Sequence, residues 1–175
     1  MRVQPDTHAS ASLWAASALL AGVTLSSCTH ARPPEVLEAT PPTSVSSAAE
    51  RESFAGGPEW FTGAATISML FGPNGPRTFG GATVVFEPGA RTSWHSHPAG
   101  QTLVVTDGSG WMQTDGGPRH EVKAGDVVWT PPGVRHWHGA TTATAITHIA
   151  LQGEVSGRTV DWFEPVTDAQ YQGTD

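Results

Sequence analysis

The sequence predicts an all-β domain, and three observations carry that expectation. From Ala64 onward, apolar and polar residues alternate in runs of four to ten, the period of a half-buried strand. The runs are separated by Gly72-Pro73-Asn74-Gly75-Pro76, Glu87-Pro88-Gly89, Thr114-Asp115-Gly116-Gly117-Pro118 and Pro131-Pro132-Gly133. These are turn signals, because Gly permits positive φ and Pro fixes φ near about −65°. No long stretch repeats with the 3.6-residue period of a helix. Short strands at this spacing predict a β-sandwich or barrel.

The chain opens with a segment that reads as an address rather than a fold. Residues 1–28 have the form of an export signal. Arg2 and the amino terminus supply a short positive region, offset by Asp6, and Leu13 to Leu25 is an uncharged run of 13 residues. That length suits a signal peptide and falls short of the about 20 residues that span a bilayer. The run ends in Leu25-Ser26-Ser27-Cys28, which resembles a bacterial lipobox. There the Cys becomes the lipidated first residue of the mature chain. An ordinary signal peptide with a spare Cys, or an uncleaved anchor, is the alternative. Cys28 is the sole cysteine, so the chain has no disulfide framework and no Cys-rich zinc site. Residues 29–53 are rich in Pro, Ser, Thr and Ala without apolar periodicity. They predict a disordered tether between membrane and domain.

The domain is expected over residues 54–175. Its predicted strands are Ala64–Phe71, Gly81–Glu87, Thr92–His97, Thr102–Thr106, Gly110–Thr114, His120–Lys123, Asp126–Thr130, Arg135–Gly139 and Ala143–Gln152. Asp168–Tyr171 is the one segment read as a helical turn. Seven Trp and six Phe are enough to build a core. The formal charge of −7, with a single Lys, lacks the basic footprint of a nucleic-acid binder.

Eight His stand among few charged residues. His95 and His97 are two apart, so in a strand their imidazoles share one face, and His136 and His138 repeat the spacing. His148 and Gln152 lie on one face of Ala143–Gln152. A single His-x-His arises readily by chance in such a chain. Two pairs, each flanked by turn residues, are much less easily incidental. His120 falls on a polar hairpin, and His8 and His30 lie in the signal and tether.

Two segments carry a family resemblance. The stretch from Gly89 through His95, His97 and Gln101 to Gly108 resembles the first cupin motif. That motif has Gly, five residues, His-x-His, three or four residues, Glu, six residues and Gly. The stretch from Gly125 through Pro131, Gly133 and His136 to Ala140 resembles the second, and every fixed spacing is met. Gln101 stands where most cupins carry Glu, and Ala140 where many carry Asn. Residues from about Gly57 to Tyr171 further resemble the small manganese-dependent bacterial hydroxynitrile lyases of the cupin fold, a group often labelled carboxymuconolactone-decarboxylase-like. The matches include Trp60-Phe61-Thr62-Gly63, Gln101-Thr102, His136-Trp137-His138-Gly139-Ala140, Thr147-His148 and Val160-Asp161-Trp162. Gln101 fits that subgroup, whereas a lipoprotein signal is not one of its features.

The resemblance implies a cupin double-stranded β-helix, or jelly-roll barrel. It implies a divalent metal held by His95, His97, Gln101 and His136: most readily Mn(II), with Fe, Co, Ni or Zn as alternatives. Four neutral ligands leave the ion's full charge uncompensated and favour Lewis-acid chemistry. His148 is then the expected general base, with His138 beside the metal and Gln152 holding the departing cyanide. Ala82 and Val84 would leave room for an aryl group. The expected function is C–C cleavage of a cyanohydrin or related hydroxy/carbonyl compound. A cupin dioxygenase or isomerase, or a non-catalytic binding module at the cell envelope, are the alternatives. A small-molecule substrate, a membrane attachment through Cys28, and a homo-oligomer (dimer or tetramer) are the expected partners.

Overall fold

The computed structural model describes residues 42–174. The expected export signal, Cys28 and the first part of the expected tether lie outside these residues. Residues 42–52 are almost wholly exposed, with one short 3-10 turn at Ala48–Glu50.

Twelve strands follow: β1 (Ser53–Ala55), β2 (Phe61–Thr62), β3 (Ala65–Phe71), β4 (Phe79–Phe86), β5 (Arg91–Thr92), β6 (His95–Ser96), β7 (Gln101–Thr114), β8 (Arg119–Lys123), β9 (Val127–Thr130), β10 (His136–Ala140), β11 (Ile146–Gly153) and β12 (Asp161–Trp162). A short helix, α1 (Asp168–Gln172), ends the domain. All strand pairs are antiparallel and join into one curled sheet, with the order β1-β3-β4-β11-β7-β10-β5-β2 along its main path. Strand β7 serves both walls of the barrel. Its first half pairs with β11 and β9 and its second half with β10 and β8.

Two predicted strands, Thr102–Thr106 and Gly110–Thr114, are therefore one. The chain bends between the walls at Gly108, whose φ is 71°, and the pairing continues through the bend. A Cβ at Gly108 would lie 2.0 Å from the Ala145 carbonyl oxygen, so the close approach to the neighbouring chain needs glycine.

The opposite correction applies to Thr92–His97, which is interrupted. Ser93 N donates to the Trp60 carbonyl at 2.8 Å and Trp94 N to the Glu164 carbonyl at 3.1 Å. The segment thus changes partners between β5 and β6, and His97 has already left the strand. Strands β2 and β12 are two residues each, too short to show alternation.

Strand alternation sorts the apolar residues into two clusters. Ile67, Val84, Phe86, Leu103, Val105, Met112 and Ile146 fill the barrel interior. Trp94 and Trp137, each next to a histidine in sequence, point to the other face of the sheet. There they pack with Val166, Tyr171 and Trp111. The C-terminal segment is pinned over them: the Tyr171 hydroxyl donates to the Ala140 carbonyl at 2.8 Å. Arg91, buried, donates to the Val166 carbonyl at 3.0 Å and to Asp168 at 2.6 Å. Helix α1 is closed by a capping box of Thr167 and Gln170, which satisfies its first free N–H groups. The backs of the histidine strands are therefore closely packed, and that helps to fix the rings in front.

Candidate metal centre

Five imidazoles gather inside the barrel. Ring centroids are 4.2 Å apart for His95 and His136, 5.1 Å for His95 and His97, 5.6 Å for His97 and His136, and 4.9 Å for His138 and His148. All five residues are buried. The grouping follows from register: His136 pairs with His95 across β10 and β6. His148 sits opposite Val84 on β11, and Gln152 opposite both Gly80 and Gln101.

Three of these rings are oriented by backbone carbonyls. His95 Nδ1 donates to the Ser93 carbonyl at 3.0 Å, His97 Nδ1 to that of Thr159 at 2.6 Å, and His136 Nδ1 to that of Val134 at 2.9 Å. A carbonyl only accepts, so the proton of each neutral ring sits on Nδ1 and the lone pair on Nε2. Burial keeps these rings neutral. It holds His95 well below the ordinary imidazole range, helped by His136 and His97 nearby, lowers His97, and takes His136 to about 4.

Gln101 completes the arrangement. Its Nε2 donates to Gln152 Oε1 at 3.3 Å, which turns its own Oε1 toward His136 Nε2 at 3.0 Å. Two acceptors then face each other at contact distance, and the buried His97 Nε2 has no hydrogen-bond partner. The lone pairs of His136 and Gln101 meet here, with the His95 ring and the unpartnered His97 Nε2 beside them, and three imidazoles with one amide oxygen suit a divalent transition ion.

His138 competes with His97 for the third imidazole position. One nitrogen each of His95, His136 and His138 lies within 4.8 Å of the others. The anchoring separates the two candidates. Metal-ligating imidazoles nearly always donate their second N–H to a carbonyl or carboxylate. His97 does so, whereas neither nitrogen of His138 has a partner. We therefore favour His95, His97, Gln101 and His136 as the residues that could hold a metal.

His138 and His148 form a second pair with all four nitrogens unpartnered. Phe86 packs against both rings, at 5.7 and 5.8 Å. Burial lowers His138 well below its ordinary range and His148 to about 4.

The cluster opens into a cavity of about 540 Å³ lined by His95, His97, Gln101, His138, His148 and Gln152. Ala82 and Val84 line it as well, while His136 lies behind this layer. Several lining residues carried no role in the sequence reading. Trp162 packs over His95 at 5.0 Å and stacks on Trp60 at 5.2 Å, and the Thr159 carbonyl aims His97. The carbonyl has no signal in side-chain identity. The two Trp were legible only as parts of the matching strings.

These features define a class. The chain belongs to the cupin family: the cupin domain model matches residues 82–150, which run from β4 through both histidine pairs to β11. The (R)-mandelonitrile lyase of Granulicella tundricola is 55% identical over 114 residues, covering 65% of this chain and 87% of that protein. A crystal structure of a cupin-like protein from Thermotoga maritima is 43% identical. It superposes with a TM-score of 0.66 over 69% of this chain and 91% of its own. A cupin-2 domain from Rhodospirillum rubrum shares the fold, with a TM-score of 0.58 at 19% identity and coverage of 77% and 87%.

Proposed function

We propose that this chain is a metal-dependent lyase that splits cyanohydrins into an aldehyde and hydrogen cyanide, with manganese at His95, His97, Gln101 and His136. The observation that carries the proposal is two sets of imidazoles at one largely apolar cavity. One set is anchored by backbone carbonyls that leave the lone pair on Nε2, and the other is buried with its nitrogens free. The similar Granulicella protein, a lyase by name, supports the choice of reaction.

A divalent ion bound at the four residues would supply Lewis-acid polarisation of a substrate oxygen. The chain's own residues do the rest. His148, neutral because burial takes it to about 4, accepts the substrate hydroxyl proton. The C–C bond breaks as the carbonyl forms, and its electron pair leaves with cyanide. Gln152 spends its carbonyl oxygen on Gln101, so its amide N–H groups are free to hold the departing anion. The proton on His148 then passes to cyanide and restores the neutral ring. His138, with Phe86, keeps the His148 ring in place. Ala82 and Val84 leave space beside it.

We further propose export to the cell envelope on a lipid anchor at Cys28, and assembly into a dimer or tetramer. Labelling with radioactive palmitate that disappears in Cys28→Ser, and the mass in solution by light scattering, check these two expectations.

The test of the lyase is benzaldehyde release from mandelonitrile near pH 5, where spontaneous breakdown is slow. It uses manganese-loaded protein against a metal-stripped control. Metal-dependent release is expected. No release from protein shown to hold the metal would sink the lyase proposal.

A further inference from the structure

The inner face of β4 narrows in one direction. Its inward residues are Phe86, Val84, Ala82 and Gly80, each smaller than the one before, and all four line the cavity. Phe86 closes the end beside His138 and His148. Gly80 opens the other end, level with the proposed ligand Gln101, because Gln152 of β11 pairs with both.

The strands β7, β11, β4 and β3 are consecutive neighbours. A row from Gln101 across them spans about 14 Å at the usual strand spacing. Along it the lining changes from polar to apolar: Gln101 and Gln152 come first, then Gly80 and Ala82, then Met69, which pairs with Ala82. The row ends at a rim where Phe54, Trp60 and Met69 are exposed at 51%, 38% and 40%, and all three also line the cavity. An apolar patch continuous with an interior cavity marks where a ligand sits.

We infer that the cavity accepts an extended aryl body, two rings long, along the row from Gln101 over Gly80 and Ala82 to the rim at Met69. The reactive hydroxyl or carbonyl lies at the histidine end. A single ring occupies only the part beside Ala82 and Val84, and the second ring would lie over Gly80 in the space that a side chain there would take. The identity of the reacting group rests on the lyase proposal. The length and apolar character of the slot do not.

The test is binding of 4-phenylbenzaldehyde against benzaldehyde to the full manganese-loaded chain and to the metal-stripped chain. It is followed by the fluorescence of the cavity tryptophans and by calorimetry. Wild type is expected to bind the two-ring aldehyde at least tenfold more tightly, about 1.4 kcal/mol. Filling the slot with Gly80→Leu is expected to bring that ratio to within about threefold. A Cβ at Gly80 first meets the Phe71 carbonyl oxygen at 3.3 Å, so Met69→Trp, at an exposed rim position, serves as the second variant.

Equal affinities in wild type, or a ratio that survives in a folded slot-filling variant, would overturn the inference. Absence of mandelonitrile cleavage by the loaded chain would instead count against the lyase proposal and leave the binding ratio to be judged by itself.

Discussion

Acid should destabilise the metal-free protein in a window set by its histidines. The unfolded imidazole titrates near 6.5, while burial takes His136 and His148 to about 4 in the fold. Between those values the unfolded chain binds more protons than the native one, so stability falls as pH falls. It is fully present above about 6.5, and these two groups have contributed their whole loss by about pH 4. The full drop is worth roughly 3 kcal/mol for each ring, and the part between pH 7 and 5 roughly 2 kcal/mol. His95, His97 and His138 are lowered in the same direction and add to the loss. Against a total stability of about 5–15 kcal/mol for a domain, two rings already matter. A bound divalent ion selects the native, neutral rings and opposes the loss. Equilibrium urea unfolding of the stripped chain at pH 7, 6 and 5, followed by tryptophan fluorescence, reads this directly. His148→Leu should make the pH dependence shallower by one ring's share. A stability that is flat from pH 7 to 5, or a slope unchanged in His148→Leu, would refute the assignment of buried neutral imidazoles. The working consequence is that the protein should be loaded with metal near neutrality before any assay at pH 5.

Three further outcomes are expected. His148→Ala should cut kcat for mandelonitrile by about 10²–10⁴-fold, the usual share of a general base, with bound metal unchanged by elemental analysis. If metal is lost instead, His148 is a ligand. Tyr171→Phe should cost about 1 kcal/mol in urea unfolding, because the buried Ala140 carbonyl loses its donor. Gly108→Ala should destabilise by at least about 2 kcal/mol or prevent folding, since a Cβ there collides with the Ala145 carbonyl and φ is 71°. A soluble variant with wild-type unfolding would contradict that role for the bend.

Much of this was legible in the sequence because strand alternation and motif spacing are local. His95 and His136 are found in pairing register, and Gln101, His148 and Gln152 do face one interior with Ala82 and Val84. The short β2 and β12 carry no alternation, yet they bring Trp60 and Trp162 against the histidines. The break between β5 and β6 depends on carbonyls of Trp60 and Glu164, far away in the chain. The same holds for His97, whose orientation is set by the Thr159 carbonyl. The His-x-His spacing treats His136 and His138 alike, and it is the second motif that singles out His136. The structure adds the physical difference: His136 is anchored at Nδ1, whereas both nitrogens of His138 are free. Ala140, a departure from the usual second motif, proves to be the residue whose carbonyl holds Tyr171.

The most direct test of the metal centre is titration of the stripped chain with Mn(II), with bound metal and benzaldehyde release measured on the same samples. Activity should rise to a plateau at one ion per chain in wild type. His97→Ala should lose both binding and release, while His138→Ala should still bind one ion. Retention of the ion by His97→Ala together with its loss in His138→Ala would contradict the ligand set. Release that persists without metal would contradict the proposed chemistry.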